Sequence, residues 1–148
     1  MGPGRSLKIY AETSFLASLY AVDAHSAEAE RRVRREEPEL LLTPLLELEL
    51  VNALQQRVFR REASAPAVGV AMSKLEVHIS DGVFSMEPMP AEAYQLARRI
   101  SARRTAAIGV RTLDILHVAC ATLLEADRLW TFDVRQSALA RAEGLRVR

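Results

Sequence analysis

The sequence predicts an α/β protein, with a parallel β-sheet that carries helices on both faces. Short apolar segments alternate with longer helical segments along the 148 residues, and no hairpin turn signal joins two of the short segments. Strands that are connected through helices pair in parallel, and a parallel sheet is covered on both faces. The length and the 49% apolar content fit one domain with a real hydrophobic core.

The first elements are a buried strand and two helices of different character. The apolar run "LKIYA" at residues 7–11 predicts a short buried strand, and the apolar spacing of residues 13–20 predicts a helix that begins near Thr13. Residues 26–37 have many charges and few apolar side chains. This pattern is typical of an exposed helix, which must stop before Pro38.

The middle of the chain repeats the alternation. Residues 39–43, "ELLLT", predict a second strand, and Pro44 is suited to the first turn of the long helix expected over residues 45–62. Residues 67–79 predict another helix. Residues 83–89, "VFSMEPM", predict a weak third strand that a proline interrupts.

The last elements surround the most apolar helix of the chain. Residues 91–104 predict an amphipathic helix, and residues 112–126 predict a helix that is apolar nearly all round and therefore buried. Residues 128–132, "RLWTF", predict a strand, and residues 134–143 predict the final helix. Gly144 fits the end of that helix, and residues 145–147 are expected to add an edge strand.

The ends and the composition limit the class of protein. Residues 1–6 are interpreted as an N-terminal extension or a cloning scar, and residues 7–148 as the folded domain. No apolar run is long enough for a membrane span, so no membrane partner is expected. The single Cys120 lies in an apolar helical pattern and indicates a core thiol in a reducing, cytoplasmic compartment.

The basic residues are nearly all arginines, although the net charge is only +1. They cluster at residues 31–35, 57–61 and 98–104. Arginine matches the geometry of phosphate groups, but solvated helix faces are the simpler interpretation, and acids interleave with the first cluster.

Acidic residues directly follow two of the predicted strands. Glu12 directly follows the first predicted strand and Asp133 the last one, and ligands of open parallel sheets bind beyond the carboxyl ends of the strands. Asp114 lies in the first turn of the buried helix, with His117 on the same face at i+3. An acid at a helix N-terminus can also serve only to cap it, and for His117 a supporting role in the core is favoured.

The long central helix offers two further acids. Glu49 shares a helix face with Asn52, Gln56 and Arg60, whereas Glu47 points toward Val51 and its neighbours. The N-terminal end of this helix follows the second strand, at the same edge as Glu12, so that either acid could extend toward the site.

Three or four carboxylates can gather only if a proton or a cation offsets their repulsion. Hard oxygen ligands without a Cys/His set suit Mg²⁺ or Mn²⁺. Such an ion binds phosphate oxygens and activates water, and this chemistry hydrolyses phosphodiesters.

The ordered segments "YAETSFL", "ELELVNAL", "LDILHVACA" and "TFDVRQSALARAEGL" resemble those of PIN-domain nucleases, and in particular the VapC-type toxins of bacterial toxin–antitoxin pairs. The resemblance implies a PIN-like parallel sheet with flanking helices and an Mg²⁺- or Mn²⁺-dependent endoribonuclease activity on RNA. It also implies a homodimer and inhibition by a small antitoxin protein that inserts a segment near the acids.

The resemblance also implies the roles of individual residues. The four catalytic and metal-binding acids of the family fall on Glu12, Glu49, Asp114 and Asp133, and supporting hydroxyls fall on Ser14 and Thr131. This assignment favours Glu49 over Glu47. The family usually has Asp where this chain has Glu12, one methylene longer.

Three other functions share parts of the pattern, and the sequence lacks the motifs that two of them need. A PIN-like module in which Glu12 spoils the metal geometry would bind RNA or a partner protein without turnover. A receiver-type phosphoacceptor needs adjacent acids after its first strand and a lysine near its last one, whereas Lys74 lies in a predicted helix. A haloacid-dehalogenase-like phosphatase needs an Asp-x-Asp motif after a strand, which the sequence lacks.

Overall fold

A computed structural model describes residues 4–148, and within them four parallel strands form one sheet in the order β3-β2-β1-β4. The strands are β1 (Lys8–Ala11), β2 (Glu39–Leu42), β3 (Phe84–Met86) and β4 (Arg128–Trp130). The helices are α1 (Thr13–Tyr20), α2 (Ser26–Glu36), α3 (Pro44–Phe59), α4 (Ala65–Ser80), α5 (Ala93–Ile108), α6 (Thr112–Leu123) and α7 (Val134–Ala142).

The helices form two packed groups around the sheet. Helix α1 contacts α2, α3 and α4, whereas α5, α6 and α7 contact one another. Among the described residues, no helix is long and apolar enough to cross a membrane. The predicted α/β fold, a parallel sheet with helices on both faces in one domain, is confirmed.

The central strand β1 determines where the site forms. It pairs with β2, where Ile9 lies opposite Leu40, and with β4, where Ala11 lies opposite Trp130. Ile9 is fully buried, as expected for a strand that is covered on both faces. Beyond the last strand pair, the Glu12 N–H donates to the Trp130 carbonyl at 2.9 Å. The carboxyl ends of β1 and β4 therefore lie side by side.

Local sequence signals start and stop the helices that carry site residues. Thr43 caps α3 by accepting the Leu46 N–H at 3.2 Å, and Pro44 occupies the first helical turn. Gly109 ends α5 with φ +72°, a left-handed conformation that favours glycine. The chain thus leaves α5 sharply and begins α6 three residues later.

The predicted strands are longer than the observed ones, most of all β3, which spans Phe84–Met86 where residues 83–89 are predicted. Strand β4 ends at Trp130, not at residue 132, because the next residues bond to side chains: the Phe132 N–H donates to Ser14 Oγ at 2.9 Å. The predicted edge strand at residues 145–147 is wrong. Only one parallel bridge forms, between Arg146 and Arg128, because that segment meets β4 at a single position.

The expected N-terminal extension contacts the domain where it is described. Residues 1–3 lie outside the described residues. The Arg5 guanidinium donates to Asp127 at 2.8 Å, and the same carboxylate accepts the Lys8 N–H at 2.8 Å. Arg5 therefore adds an ion pair beside the start of β1.

Candidate active site

A cleft of about 680 Å³ opens at the edge of the sheet where β1 and β4 end. All four predicted acids line it, together with several arginines and polar residues. The acids are Glu12, Glu49, Asp114 and Asp133, and the arginines are Arg57, Arg60 and Arg111. The structure therefore brings together the acids that strand topology and helix position predicted from sequence.

Glu12 caps helix α1 and is only 4% exposed. Its Oε1 atom accepts the Ser14 N–H at 2.7 Å, the Ser14 hydroxyl, and the Thr131 hydroxyl at 2.8 Å. Burial raises the pKa of Glu12, and the bonds from Ser14 and Thr131 and the neighbouring His117 only partly offset that rise. Glu12 thus caps helix α1, and its burial in the cleft disfavours the ionised form of its carboxyl group.

The hydroxyls of Ser14 and Thr131 also hold the loop that follows β4. Ser14 Oγ accepts the Phe132 N–H, and Thr131 Oγ1 accepts the Asp133 N–H at 3.0 Å. The two hydroxyl oxygens lie 3.2 Å apart. Through these bonds the two hydroxyls, which are expected to support the site, connect the Glu12 carboxylate with the Asp133 backbone.

Glu49 is held in place by a chain of hydrogen bonds that passes through His117 to Tyr10 in strand β1. Its Oε1 atom accepts from the Thr13 hydroxyl and lies 2.7 Å from His117 Nε2, and His117 Nδ1 lies 2.6 Å from the Tyr10 hydroxyl. Burial raises the pKa of Glu49, but the hydrogen bond and charge of His117, with Thr13 and Arg111, lower it below its usual value. Glu49 is therefore ionised, which requires that His117 Nε2 carries a hydrogen.

Tyr10 completes this chain of hydrogen bonds from the core side. Burial raises the pKa of Tyr10 well above its ordinary value, so the phenol stays neutral and keeps its hydroxyl hydrogen beside His117 Nδ1. Both side chains are fully buried. His117, which is expected to support the site, thus contacts Glu49, a partner that its sequence position next to Asp114 did not indicate.

Asp114 and Asp133 flank a single guanidinium, that of Arg111. Asp114 Oδ2 accepts from Arg111 Nε at 3.1 Å and from the Arg111 backbone N–H at 3.3 Å. Asp133 caps α7 through Oδ1, which accepts the Gln136 N–H at 2.9 Å, and its Oδ2 lies 3.8 Å from Arg111. The Arg111 side chain remains 79% exposed. It is therefore a cation beside the acids that is free to reach solvent.

Arg111 is the main site residue that sequence reasoning missed. The signal was present in "RTLD", where a basic residue precedes a helix and an acid follows at i+3. That spacing allows an ion pair within the first turn. Thr13 and Tyr10 were missed as well, because their contacts join residues distant in the chain.

The helical projection of α3 is observed in the structure. Glu49, Asn52, Gln56 and Arg60 all line the cleft, whereas Glu47 does not. Periodicity left open which of the two glutamates reaches the cleft. The structure places Glu49, and not Glu47, in its lining.

The acids do not form a closed metal site as they stand. Among residues 4–148, no three His, Cys, Asp or Glu side chains are grouped closely enough to hold a metal ion. Protein donors nevertheless occupy only one oxygen of each of three acids, and within the described residues no donor reaches Glu12 Oε2, Glu49 Oε2 or Asp114 Oδ1. These hard oxygens on one cleft are the donor type that Mg²⁺ and Mn²⁺ prefer.

Comparison with known proteins assigns the fold to a family. The model of the PIN-domain family matches residues 9–142. VapC20 of Mycobacterium tuberculosis, a toxin that cleaves the sarcin–ricin loop, superposes with a TM-score of 0.70 at 20% identity, over 93% of this chain and 95% of that one. PAE2754 of Pyrobaculum aerophilum gives 0.63 at 17% identity, over 92% and 81% of the two chains. No curated protein matches the sequence.

The opposite pKa shifts of the two glutamates predict opposite effects of neutral substitutions on stability. The raised folded-state pKa of Glu12 makes its ionised form destabilising, so Glu12→Gln should stabilise the protein without metal at neutral pH. The gain in stability of Glu12→Gln over the wild type should appear as the pH rises from 4.5 through the folded-state pKa of Glu12. The lowered folded-state pKa of Glu49 makes its charge stabilising, so Glu49→Gln should destabilise. The stability difference between Glu49→Gln and the wild type should vanish as the pH falls from 4.5 through the folded-state pKa of Glu49, because the wild-type carboxylate then takes up a proton.

Thermal unfolding in EDTA across this pH range measures both effects. A Tm change of about 2–4 °C in each direction corresponds to about 1 kcal/mol for a domain of this size. Glu47→Gln, on the same helix as Glu49 but outside the cleft, is the matched control. Changes of the same sign for the Glu12 and Glu49 variants would contradict the assigned electrostatics.

Proposed function

Because this chain belongs to the PIN-domain family, we propose that it is an Mg²⁺- or Mn²⁺-dependent endoribonuclease that hydrolyses RNA phosphodiester bonds as the toxin of a toxin–antitoxin pair. Family membership supports a nuclease in general. The observation that carries the specific proposal is that Glu12, Glu49, Asp114 and Asp133 line one open cleft, at the edge of a parallel sheet where ligands bind.

The residues present fit a divalent cation. Glu12, Asp114 and Asp133 would hold it, and Glu49 would bind it directly or through water. When bound, the cation supplies charge for the phosphate oxygens and lowers the pKa of water. A cation among these acids would favour the ionised form of Glu12, which burial disfavours.

Glu49 is the residue best suited to accept a proton from the attacking water. Its carboxylate is ionised, and His117 and Thr13 hold one of its oxygens in place. The other oxygen has no donor among the described residues and is available to a water in the cleft. A base oriented by a second group is the usual arrangement of general base catalysis.

Arg111 and Arg60 provide the positive charge that faces the substrate. Both line the cleft, and both are exposed. When a cation shares the charge of Asp114 and Asp133, Arg111 is free to turn toward a phosphate oxygen. A guanidinium suits this role because its donors match phosphate geometry.

Single-stranded or looped RNA is the proposed substrate class. The deep, narrow major groove of duplex RNA hides base edges from side chains, whereas loops expose both bases and backbone. VapC20, which shares the fold, cleaves the sarcin–ricin loop. An RNA substrate and the free, buried Cys120 fit a protein of the cytoplasm.

The alternative function is a PIN-like module that binds RNA or a protein without turnover. The pairing of Arg111 with Asp114 and Asp133 favours it, because the chain already carries a cation where a metal would bind. Metal-dependent turnover distinguishes the two functions.

Cleavage chemistry provides the first test. The wild-type protein should cut single-stranded RNA internally and leave 5′-phosphate ends; EDTA should stop the reaction and Mn²⁺ should restore it. Asp114→Asn should weaken Mn²⁺ binding in calorimetry and lower kcat/KM by at least about a hundredfold. Products with 2′,3′-cyclic phosphate would show attack by the RNA's own hydroxyl and contradict the proposed mechanism.

The extra methylene of Glu12 predicts a dependence on the metal. It displaces the carboxylate by about a bond length if the backbone is held, and misplacement of about 1 Å can cost of order a hundredfold in rate. Mg²⁺ demands near-ideal octahedral geometry. Wild-type activity should therefore be relatively better with Mn²⁺, and Glu12→Asp should raise the Mg²⁺-supported rate.

Glu12→Gln is the companion variant, and it should nearly abolish activity with both ions. Initial rates of RNA cleavage under each metal measure these effects. A lower rate in Glu12→Asp would mean that Ser14 and Thr131 have adapted the site to the longer acid.

The proposed partners predict specific assembly. The chain should form a homodimer, measured as the mass of two chains by light scattering, and should bind a small antitoxin whose Arg or Lys enters the acid cleft. Combining Glu49→Gln with Asp114→Asn removes two charges from the cleft and should weaken antitoxin binding. Equal affinity of the double variant and the wild type would exclude insertion at this cleft.

A further inference from the structure

A second cleft, distinct from the acid cleft, lies between helix α2 and strand β4. Its volume is about 250 Å³, and none of its lining residues lines the acid cleft. The lining consists of four arginines, one glutamate and the only tryptophan of the chain: Arg32, Arg35, Arg128, Arg148, Glu28 and Trp130. We call it the arginine cleft.

Secondary structure places these side chains on one surface. Glu28, Arg32 and Arg35 follow one another at i, i+4 and i+7, so they share a face of α2. Arg128 and Trp130 are two residues apart in β4 and therefore share a face of the sheet. Three of the four arginines thus converge from two regular elements, and Arg148 reaches the cleft from the C-terminal segment.

The charges of the arginine cleft are not balanced within the protein. Arg32 donates to Glu28 at 2.9 Å, but Glu28 also pairs with Arg31. Arg35 and Arg128 share a single acid, Glu36, at the long distances of 3.4 and 3.6 Å.

Arg148 forms no ion pair with the described residues. The four arginines therefore exceed the acids around them, and the cleft retains positive charge that an anion can neutralise.

The tryptophan adds an unused hydrogen-bond donor. Trp130 is 1% exposed, and within residues 4–148 its buried Nε1 has no acceptor. A buried indole N–H normally finds a partner, so an unpartnered one marks a place where the packing beside the cleft is incomplete. The four guanidinium groups of the lining are the donors that suit the cleft to an oxyanion.

An aromatic run connects the arginine cleft with the acid cleft. The guanidinium of Arg32 lies 6.0 Å from the ring centroids of both Trp130 and Phe132. Phe132 in turn stacks on the exposed His25 at 4.3 Å. Because Asp133 follows Phe132, the Cα atoms of Trp130 and Asp133 are at most about 11 Å apart.

We propose that the arginine cleft binds a backbone phosphate of the RNA whose cleavage the acid cleft carries out, so that one strand contacts both sites across the end of β4. This inference rests on the proposed nuclease function. Phosphate contacts fix the register of a bound strand without reading its sequence. The arginine cleft would thereby set which phosphodiester lies at the acids.

The single tryptophan provides a direct probe of occupancy. In EDTA, which prevents cleavage, inorganic phosphate and a short oligouridine should each change Trp130 emission in a saturable manner. Arg35→Gln should weaken both titrations by about tenfold, the equivalent of about 1.4 kcal/mol. The Arg35 side chain is 65% exposed, and glutamine has a similar helix propensity, so the fold should tolerate the change.

Arg34→Gln is the matched control. Arg34 is the exposed neighbour of Arg35 on the same helix, lines neither cleft, and its substitution removes the same charge. Its phosphate and RNA affinities should equal those of the wild type. The salt dependence of RNA binding should decrease by about 0.7 in logarithmic slope for Arg35→Gln alone, as expected for one lost contact to a single strand.

Two results would overturn the inference. If phosphate binds through Arg35 but RNA binds equally well to both variants, the cleft accepts a small anion and not the RNA backbone. If neither probe distinguishes Arg35→Gln from Arg34→Gln, the cleft is no phosphate site. An Arg35-dependent RNA response in a protein that never cleaves RNA would contradict the nuclease proposal while supporting RNA binding at this cleft.

Discussion

The gathering of four acids in one cleft, with Glu12 almost fully buried, is the constraint on which the arrangement of the site depends. A parallel sheet brings the ends of β1 and β4 together, and acids that follow these strands meet there whether or not their charges are favourable. The chain compensates these acids with donors that reach one oxygen of each. Backbone N–H groups at helix N-termini donate to Glu12 and Asp133. The side chains of His117 and Thr13 bond to Glu49.

Arg111 is the element of this arrangement that connects folding with function. It is the cation between Asp114 and Asp133, so part of the charge of these acids is compensated within the protein itself. A divalent cation held by the same carboxylates would compete with this contact. Because the Arg111 side chain is largely exposed, its guanidinium could leave the acids by rotation of one side chain, without a rearrangement of the core.

Much of the fold could be predicted because it depends on local pattern. Alternating apolar segments identified the strands and helices, and parallel topology then placed Glu12 and Asp133 at one edge. The helical period placed Glu49 and Glu47 on different faces of α3 but left open which of them reaches the site. These inferences need only the spacing of residues along the chain and the geometry of regular elements.

What sequence reasoning missed depends on contacts between distant segments. The Tyr10–His117–Glu49 chain of hydrogen bonds joins three elements, and the hydroxyl of Ser14 ends β4 early by binding the Phe132 N–H. The arginines at residues 31–35 were interpreted as a solvated helix face, and for Arg34 that is correct. The position of Trp130 in the folded sheet is what makes a cleft beside Arg35, and no local pattern encodes it.

Helix capping and ligand binding, which sequence reasoning treats as alternatives for an acid, are compatible here because a carboxylate has two oxygens. At Asp114 and Asp133 the capping oxygen is the one nearer the helix backbone, and the second oxygen is left to the cleft or to Arg111. The longer Glu12 can still cap α1, but its carboxylate also needs the hydroxyls of Ser14 and Thr131. These two hydroxyls occupy the same oxygen as the cap and leave the other one without a donor. The cap therefore orients the oxygen that faces the cleft, and a residue of different length at this position would change the site through the same bonds that stabilise the helix.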